Sequence, residues 1–175
     1  EKCRGYGSAC LRGIAEIEEC DIILFVDADG SDYPEEWPNL VLPIVEGKAD
    51  FVVGCRTKGD AEPGSMLPQA VFGNWLATSL MRMIYPNSPF TDLGPFRAIR
   101  RSALDALGME DKTFGWTVEM QLKALRHGLL CLEVPVSYRK RLGGRSKVTG
   151  TVKGTILAGY KILSLVLKEA LCPHS

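Results

Sequence analysis

No uncharged apolar run in this 175-residue sequence approaches the ~20 residues that span a bilayer, which excludes a transmembrane helix of ordinary length. It also has no C-x-x-C pair. Its six cysteines, at positions 3, 10, 20, 55, 131 and 172, are scattered. A closed zinc site is therefore not expected, and the thiols read as the reduced cysteines of a cytosolic protein. Net charge is absent too, with 21 Lys+Arg against 21 Asp+Glu. Duplex-binding domains carry a general basic excess, so nucleic acid is not an expected partner. There is no internal repeat and no low-complexity tract. With 46% hydrophobic and 24% charged residues, disorder, collagen and coiled coil are excluded as well. Neither an initiator Met nor a signal peptide precedes the glycine-rich Arg4-Gly5-Tyr6-Gly7, so the sequence is expected to start inside a domain.

The length suits a single domain with a core that needs no staples. Zero net charge hides a segregation. Residues 1–62 hold 14 Asp/Glu against 6 Lys/Arg, and residues 63–175 hold 7 against 15. An acidic part beside a basic part suits a metal and a polyanionic ligand meeting between them. Ser8 predicts an N-cap for a helix over 9–19. The continuous apolar run Ile22–Val26 predicts a strand buried on both faces, as in a parallel sheet. Pro34 opens a helix with Glu35 and Glu36 in its first turn. Further strands are expected at 51–53, 94–99 and 129–138. Helices are expected at 69–84, up to Leu107, at 116–127 and at 151–171, with a polar loop at 57–68 and a basic glycine loop at 142–150. Alternating strands and helices indicate an α/β fold, whose ligands bind beyond the carboxyl ends of strands.

Asp27-Ala28-Asp29 stands at one such end. Two carboxylates after a buried strand can hold one hard divalent cation, Mg²⁺ or Mn²⁺, with substrate phosphates completing the shell. Three chemistries use this pattern. Asp27-Ala28-Asp29-Gly30-Ser31 fits the D-x-D-G-[ST] of haloacid-dehalogenase-like phosphatases, in which the first Asp is a nucleophile. No Asp-Asp or G-D-x-x-x-D follows downstream, which makes this the second reading. An EF-hand needs Gly at loop position six, and Gly30 falls at four. The third chemistry is sugar transfer from a nucleotide diphosphate.

Further motifs favour the third. Arg4-Gly5-Tyr6-Gly7-Ser8-Ala9-Cys10-Leu11-Arg12-Gly13 is followed by Asp92-Leu93-Gly94-Pro95-Phe96-Arg97-Ala98-Ile99-Arg100-Arg101. Gly115-Trp116-Thr117-Val118-Glu119, Glu133-Val134-Pro135-Val136-Ser137-Tyr138-Arg139 and Arg145-Ser146-Lys147 complete the series. In this order they resemble family 2 glycosyltransferases of the GT-A fold, especially the polyprenyl- and dolichyl-phosphate mannosyl- and glucosyltransferases. The resemblance covers essentially the whole chain. It implies a single catalytic domain over 1–175, a Rossmann-like, mostly parallel sheet with flanking helices, and about one missing βαβ unit before Glu1. It implies a nucleotide-sugar donor with UDP or GDP, transfer with inversion, and a lipid phosphate or another glycosyl acceptor. An inactive, ligand-binding relative is the remaining class.

The resemblance and the chemistry together assign roles. Asp29 is expected to ligate the metal, with Asp27 contacting metal, ribose or sugar. Arg56, Arg97, Arg139, Arg145 and Lys147 hold phosphate, with Gly94 letting substrate approach the backbone. Glu119 is the candidate general base if the acceptor is a hydroxyl, and Asp92 is the other acid in a motif position. The plainer reading of Glu119 is an i,i+4 pair with Lys123; that of Arg97 is a salt bridge to Asp92 or Glu119. Trp116 is expected in the core. Ser31 stands where relatives often have Gln, Pro95 where a small polar or acidic residue is common, and Gln69-Ala70 where an Arg is common. In the amphipathic helix at 151–171, Ile156, Tyr160, Leu163, Leu167 and Leu171 share a face. Burial of that helix against the sheet is the first expectation and association with a membrane surface the second.

Overall fold

The computed structural model describes residues 5–143 and 152–171. Arg145 and Lys147, and with them most of the basic glycine loop, lie outside the described residues. In chain order the elements are α1 (Tyr6–Glu16), β1 (Ile22–Phe25), a 3₁₀ turn (Pro34–Glu36), α2 (Trp37–Val45), β2 (Phe51–Cys55), α3 (Pro68–Ile84), β3 (Arg97–Arg100), α4 (Arg101–Leu107), α5 (Trp116–Arg126), β4 (Cys131–Pro135) and α6 (Val152–Leu171).

The sheet order is β1-β3-β2-β4. β2 and β4 are parallel, whereas β3 runs antiparallel to both β1 and β2. Three strands therefore point one way, and β3 lies between two of them in the opposite direction. The expected parallel sheet holds for β1, β2 and β4 but not for β3. After α3 the chain returns to the carboxyl end of β2, where Asp92 meets Arg56, so β3 starts at that end and runs back the other way.

Strand alternation divides the core in two. Ile23, Phe51, Val53 and Ile99 face a large cluster with Met81, Phe90, Leu104, Trp116, Met120, Leu122 and Val166. Val52 and Ala98 face a smaller cluster with Leu40 and Ile44 of α2, Phe96 and Val136. Helix α2 thus covers one face and the other helices cover the opposite one. β2 is buried on both faces as its apolar run predicts, whereas β1, at the edge of the sheet, is buried only at Ile23, and Val26 after it is exposed.

Two local expectations change. Helix α1 begins at Tyr6, with Gly5 as N-cap and no side-chain cap. Ser8 lies inside the helix, and its hydroxyl donates to the Lys112 carbonyl. The orphan amides of Gly7 and Ser8 donate instead to the carbonyls of Thr113 and Lys112. A Cβ on Gly7 would come within 1.9 Å of the Asp111 carbonyl oxygen, so glycine is what permits this contact. In α6 the buried side is Ile162, Leu165 and Val166. Tyr160, Leu163 and Leu167 are exposed, the reverse of the expected burial. Lys161 fixes this rotation, with its ammonium 2.7 Å from Asp111 Oδ2.

Candidate active site

The carboxyl ends of β1 and β2 open on one side of the sheet. From β1 the chain enters the turn Asp27–Asp32. The Asp32 carboxylate accepts the Asp27 amide at 3.0 Å, and Asp29 Oδ1 accepts the amide and hydroxyl of Ser31. Burial, then the charge of Asp29, pushes the Asp27 carboxyl above the usual carboxylate range. Asp32 is 1% exposed, and burial pushes it up to about 6.

The segment after β4 lies across this turn. Tyr138 bridges Asp32, Arg139 N–H donates to the Ser31 carbonyl, and Leu142 N–H donates to the Asp29 carbonyl. Arg139 Nε donates to the Gly30 carbonyl at 2.7 Å, and its guanidinium lies 4.4 Å from the Tyr33 ring centre. Arg141 sits 2.9 Å from Asp29 Oδ2. On its other side the same segment holds the 56–67 loop through Tyr138 N–H to Asp60 O, Glu62 N–H to Tyr138 O, and Lys140 N–H to Glu62 Oε2. The acidic and basic parts of the sequence do meet here.

Arg56, at the end of β2, grips Asp92 through Nε at 2.9 Å and Nη2 at 2.7 Å, and its amide donates to the same carboxylate. Its guanidinium lies 5.0 Å from the Tyr138 ring centre. Burial acts to raise the Asp92 carboxyl, but the Arg56 charge and hydrogen bonds outweigh it, and the carboxyl lies below the usual range.

Residues 91–94 carry Asp92 without belonging to any helix or strand, yet their main chain is almost wholly satisfied by buried side chains. Glu133 accepts the amides of Thr91 and Asp92. Asn74 donates to the Thr91 carbonyl and accepts the Leu93 amide. Gln121 donates to the Asp92 carbonyl. Arg97 donates to the carbonyls of Leu93 and Gly94, and also to that of Thr117.

This arrangement corrects several expected roles. Arg97 is fully buried, with all its described hydrogen bonds on main-chain carbonyls and its guanidinium 5.8 Å from the Phe51 ring centre, so it is placed as a structural donor rather than a phosphate ligand, and it pairs with neither Asp92 nor Glu119. Burial pulls its guanidinium down to about 10. Gly94 faces protein and not substrate. A Cβ there would come within 2.3 Å of the Gly54 carbonyl oxygen. Glu119 accepts the amides of Glu110 and Asp111 and lies 2.9 Å from Lys123. The pair with Lys123 is the plainer reading of this residue, and both of its oxygens are in addition occupied in shaping the 110–113 loop. Trp116 is in the core, edge-on to Phe25.

The residues brought together are Asp27, Asp29, Arg139, Arg56 and Asp92. Asp32, Glu133 and Arg141 complete the group: Asp32 closes the acidic turn after β1, Glu133 lies within a quoted motif and Arg141 immediately precedes the basic glycine loop. The donor set fits a hard divalent cation. Asp27 and Asp29 repel each other in a partly buried place, and one Asp32 oxygen is buried without a partner. Among the described residues no three metal-ligating side chains converge, so oxygens of a ligand would have to complete such a shell.

The family model described as glycosyl transferase family 2 matches residues 1–108. An uncharacterized glycosyltransferase of Mycobacterium tuberculosis (strain H37Rv) is 35% identical over 156 residues, which cover 88% of this chain and 68% of that protein. An undecaprenyl-phosphate mannosyltransferase of Micrococcus luteus is 31% identical over 138 residues, 77% of this chain and 56% of that protein. Among solved structures, the glucosyl-3-phosphoglycerate synthase of Mycobacterium tuberculosis in complex with Mn²⁺, UDP-glucose and phosphoglyceric acid superposes with a TM-score of 0.69 at 18% identity. It aligns with 99% of this chain, which spans 57% of that one.

Proposed function

The chain belongs to glycosyl transferase family 2, and from that premise we propose that it transfers a hexosyl unit from a UDP- or GDP-sugar to a phosphate-bearing acceptor, a polyprenyl phosphate or a small phosphorylated molecule. The observation that carries this reading is the turn Asp27–Asp32 at the end of β1, faced by Arg141 and by the clamped Arg56. Asp27 and Asp29 would hold Mg²⁺ or Mn²⁺ together with the donor diphosphate. When bound, that cation would neutralise charge building on the leaving group. Arg56 and Arg141 would supply fixed positive charge to the same oxygens. An acceptor oxygen attacks the anomeric carbon as the bond from that carbon to the diphosphate breaks. The electron pair leaves on the diphosphate, and a single displacement inverts the carbon.

A phosphate acceptor is supported over a hydroxyl by the state of the candidate general base, Glu119, and of Asp92, the other acid in a motif position. Asp92 is paired to Arg56, and Glu119 accepts two main-chain amides. A phosphate is already ionised at neutral pH and needs no strong base. The named activity of the Micrococcus luteus relative supports the lipid form. So do the exposed Phe72 and Trp75 of α3 and the exposed Tyr160 and Leu167 of α6, which packs against α3, side chains suited to a peripheral place at a membrane face. Among the described residues no helix is long and apolar enough to cross a membrane. The phosphatase reading of Asp27 is set aside by the family membership.

The test is calorimetric titration of UDP, GDP and their sugars with and without Mn²⁺, followed by turnover with undecaprenyl phosphate or 3-phosphoglycerate. Metal-dependent binding of one nucleotide, lost in Asp29→Asn, is expected. Equal metal-dependent affinity in Asp29→Asn would remove the metal assignment. Binding without turnover on any phosphate acceptor would favour the inactive, ligand-binding class.

A further inference from the structure

Glu133 is an unusual residue to find buried on β4, the edge strand beside β2. Its side chain is only 2% exposed, yet it sits one residue from a second buried carboxylate in space, since it holds the amide of Asp92 itself. Burying a carboxylate is costly unless all its lone pairs are used. Here they are. Oε1 accepts the Thr91 amide at 2.7 Å and the Asp92 amide at 2.8 Å. Oε2 accepts the Thr91 hydroxyl at 2.6 Å and the Lys58 ammonium at 2.7 Å.

The consequence lies one link further on. Asp92 makes three hydrogen bonds to Arg56, so the position of its Cα fixes where that guanidinium stands. The Asp92 carbonyl is held by Gln121, and its amide by Glu133. Arg56 is then confined between the Asp92 carboxylate and the Tyr138 ring, with 15% of its side chain exposed at the Asp27–Asp32 turn. A cation locked in this way attracts an anion without first paying rotamer entropy.

We infer that Glu133 is a positioning residue, which sets the Arg56 guanidinium for an anionic ligand by holding the main chain at Thr91 and Asp92. Its role rests on accepting two amides with one oxygen, and its charge is needed only towards Lys58. Gln in its place keeps the amide acceptor. Asp keeps the charge but is one methylene too short to reach both amides. The inference builds on the proposed nucleotide-diphosphate ligand only in its second readout.

The first readout is the side-chain Nε–H resonance of Arg56 in ¹⁵N-arginine-labelled protein, identified by its loss in Arg56→Lys and followed well below the melting temperature. The wild type and Glu133→Gln should show one exchange-protected signal, whereas Glu133→Asp should shift towards the free-arginine position shown by Asp92→Asn. The second readout is binding of UDP with Mn²⁺. Glu133→Asp should lose about tenfold, the worth of one misplaced charge-assisted contact, and Glu133→Gln less than about twofold. An unshifted Arg56 signal in Glu133→Asp overturns the inference, as does a Glu133→Gln signal as displaced as that of Asp92→Asn. Failure of Glu133→Asp to fold also overturns it, since the residue would then serve stability alone. If the wild type binds no UDP with Mn²⁺, the ligand reading fails while the resonance still decides the role of Glu133.

Discussion

A buried carboxylate stays ionised only where its partners outweigh the loss of water, and Asp92 shows how sharply that balance can be set. It is fully buried, and Arg56 holds it below its ordinary value of 3.8. A depressed carboxyl stabilises the fold above its unfolded pKa, and that stability is lost as pH falls through the folded value. Asp92→Asn leaves the Arg56 charge uncompensated, and we expect it to cost about 3 kcal/mol at pH 7. In urea titrations the gap between wild type and variant should begin to narrow as pH falls below about 3.8, where the unfolded chain takes up its proton first, and close as pH falls through the lower folded value. A gap that persists unchanged at pH 3 would show that the charge of Asp92 is not what matters. Arg97 has the opposite signature. Its donors serve three carbonyls that a lysine ammonium cannot reach together, so Arg97→Lys should lose about 2–3 kcal/mol of stability. Any loss of nucleotide affinity should follow only from unfolding. Full stability with abolished binding would return Arg97 to the list of phosphate ligands.

At the scale of elements, the helix α5 illustrates how a motif residue can serve the scaffold. Glu119, in its first turn, caps the 110–113 loop, and that loop receives the amides of α1 and the Lys161 ammonium of α6. Three helices therefore meet on a loop shaped by one carboxylate. Glu119→Ala should cost about 2–4 kcal/mol, for two orphaned amides. Glu119→Gln, which keeps an acceptor, should stay within about 1–2 kcal/mol of wild type and retain turnover. Normal melting with abolished turnover in Glu119→Gln would instead restore it as a general base. Much of the fold was readable from periodicity and punctuation. The apolar runs at 22–26 and 51–53 and Gly128 after α5 mark elements that the structure contains. The direction of β3 was not readable, because antiparallel and parallel strands share the same alternation. The burial of Arg97 was in principle legible, since it lies two residues from inward Ile99 and so on the same face, opposite Phe25 and Val53. The resemblance drew attention to its charge instead. The cradle around residues 91–94 was not legible at all. Asn74, Gln121 and Glu133 come from three distant elements, and nothing local marks polar side chains that will be needed by someone else's main chain.

Across the whole molecule, the segregated charge has a structural meaning. The acidic first third supplies Asp27, Asp29 and Glu62, and the basic remainder supplies Arg139, Lys140 and Arg141, which bind them or their turn. The segment 138–142 is thus fastened to two loops by main-chain hydrogen bonds and, at Asp29, by a charge that a metal or a diphosphate would also seek. Arg141 and a divalent cation compete for the same Asp29 oxygen, because one carboxylate oxygen facing a guanidinium at 2.9 Å has little left for a metal. Removing Arg141 should therefore have opposite effects on two ligands. For Mn²⁺ alone, Arg141→Ala should bind more tightly, by about threefold to fivefold, the worth of a partly exposed ion pair. For UDP with Mn²⁺, the same variant should bind more weakly, since the freed guanidinium is then missing from the diphosphate, and a charge-assisted contact is worth about tenfold. Salt should narrow both differences, because Arg141 is 40% exposed and screened by ions. Calorimetry at two ionic strengths reads both effects on one sample. If Arg141→Ala weakens Mn²⁺ as much as it weakens UDP with Mn²⁺, the arginine supports the shape of the turn and does not exchange partners. If it changes neither, the pair with Asp29 is a surface contact without a part in ligand binding.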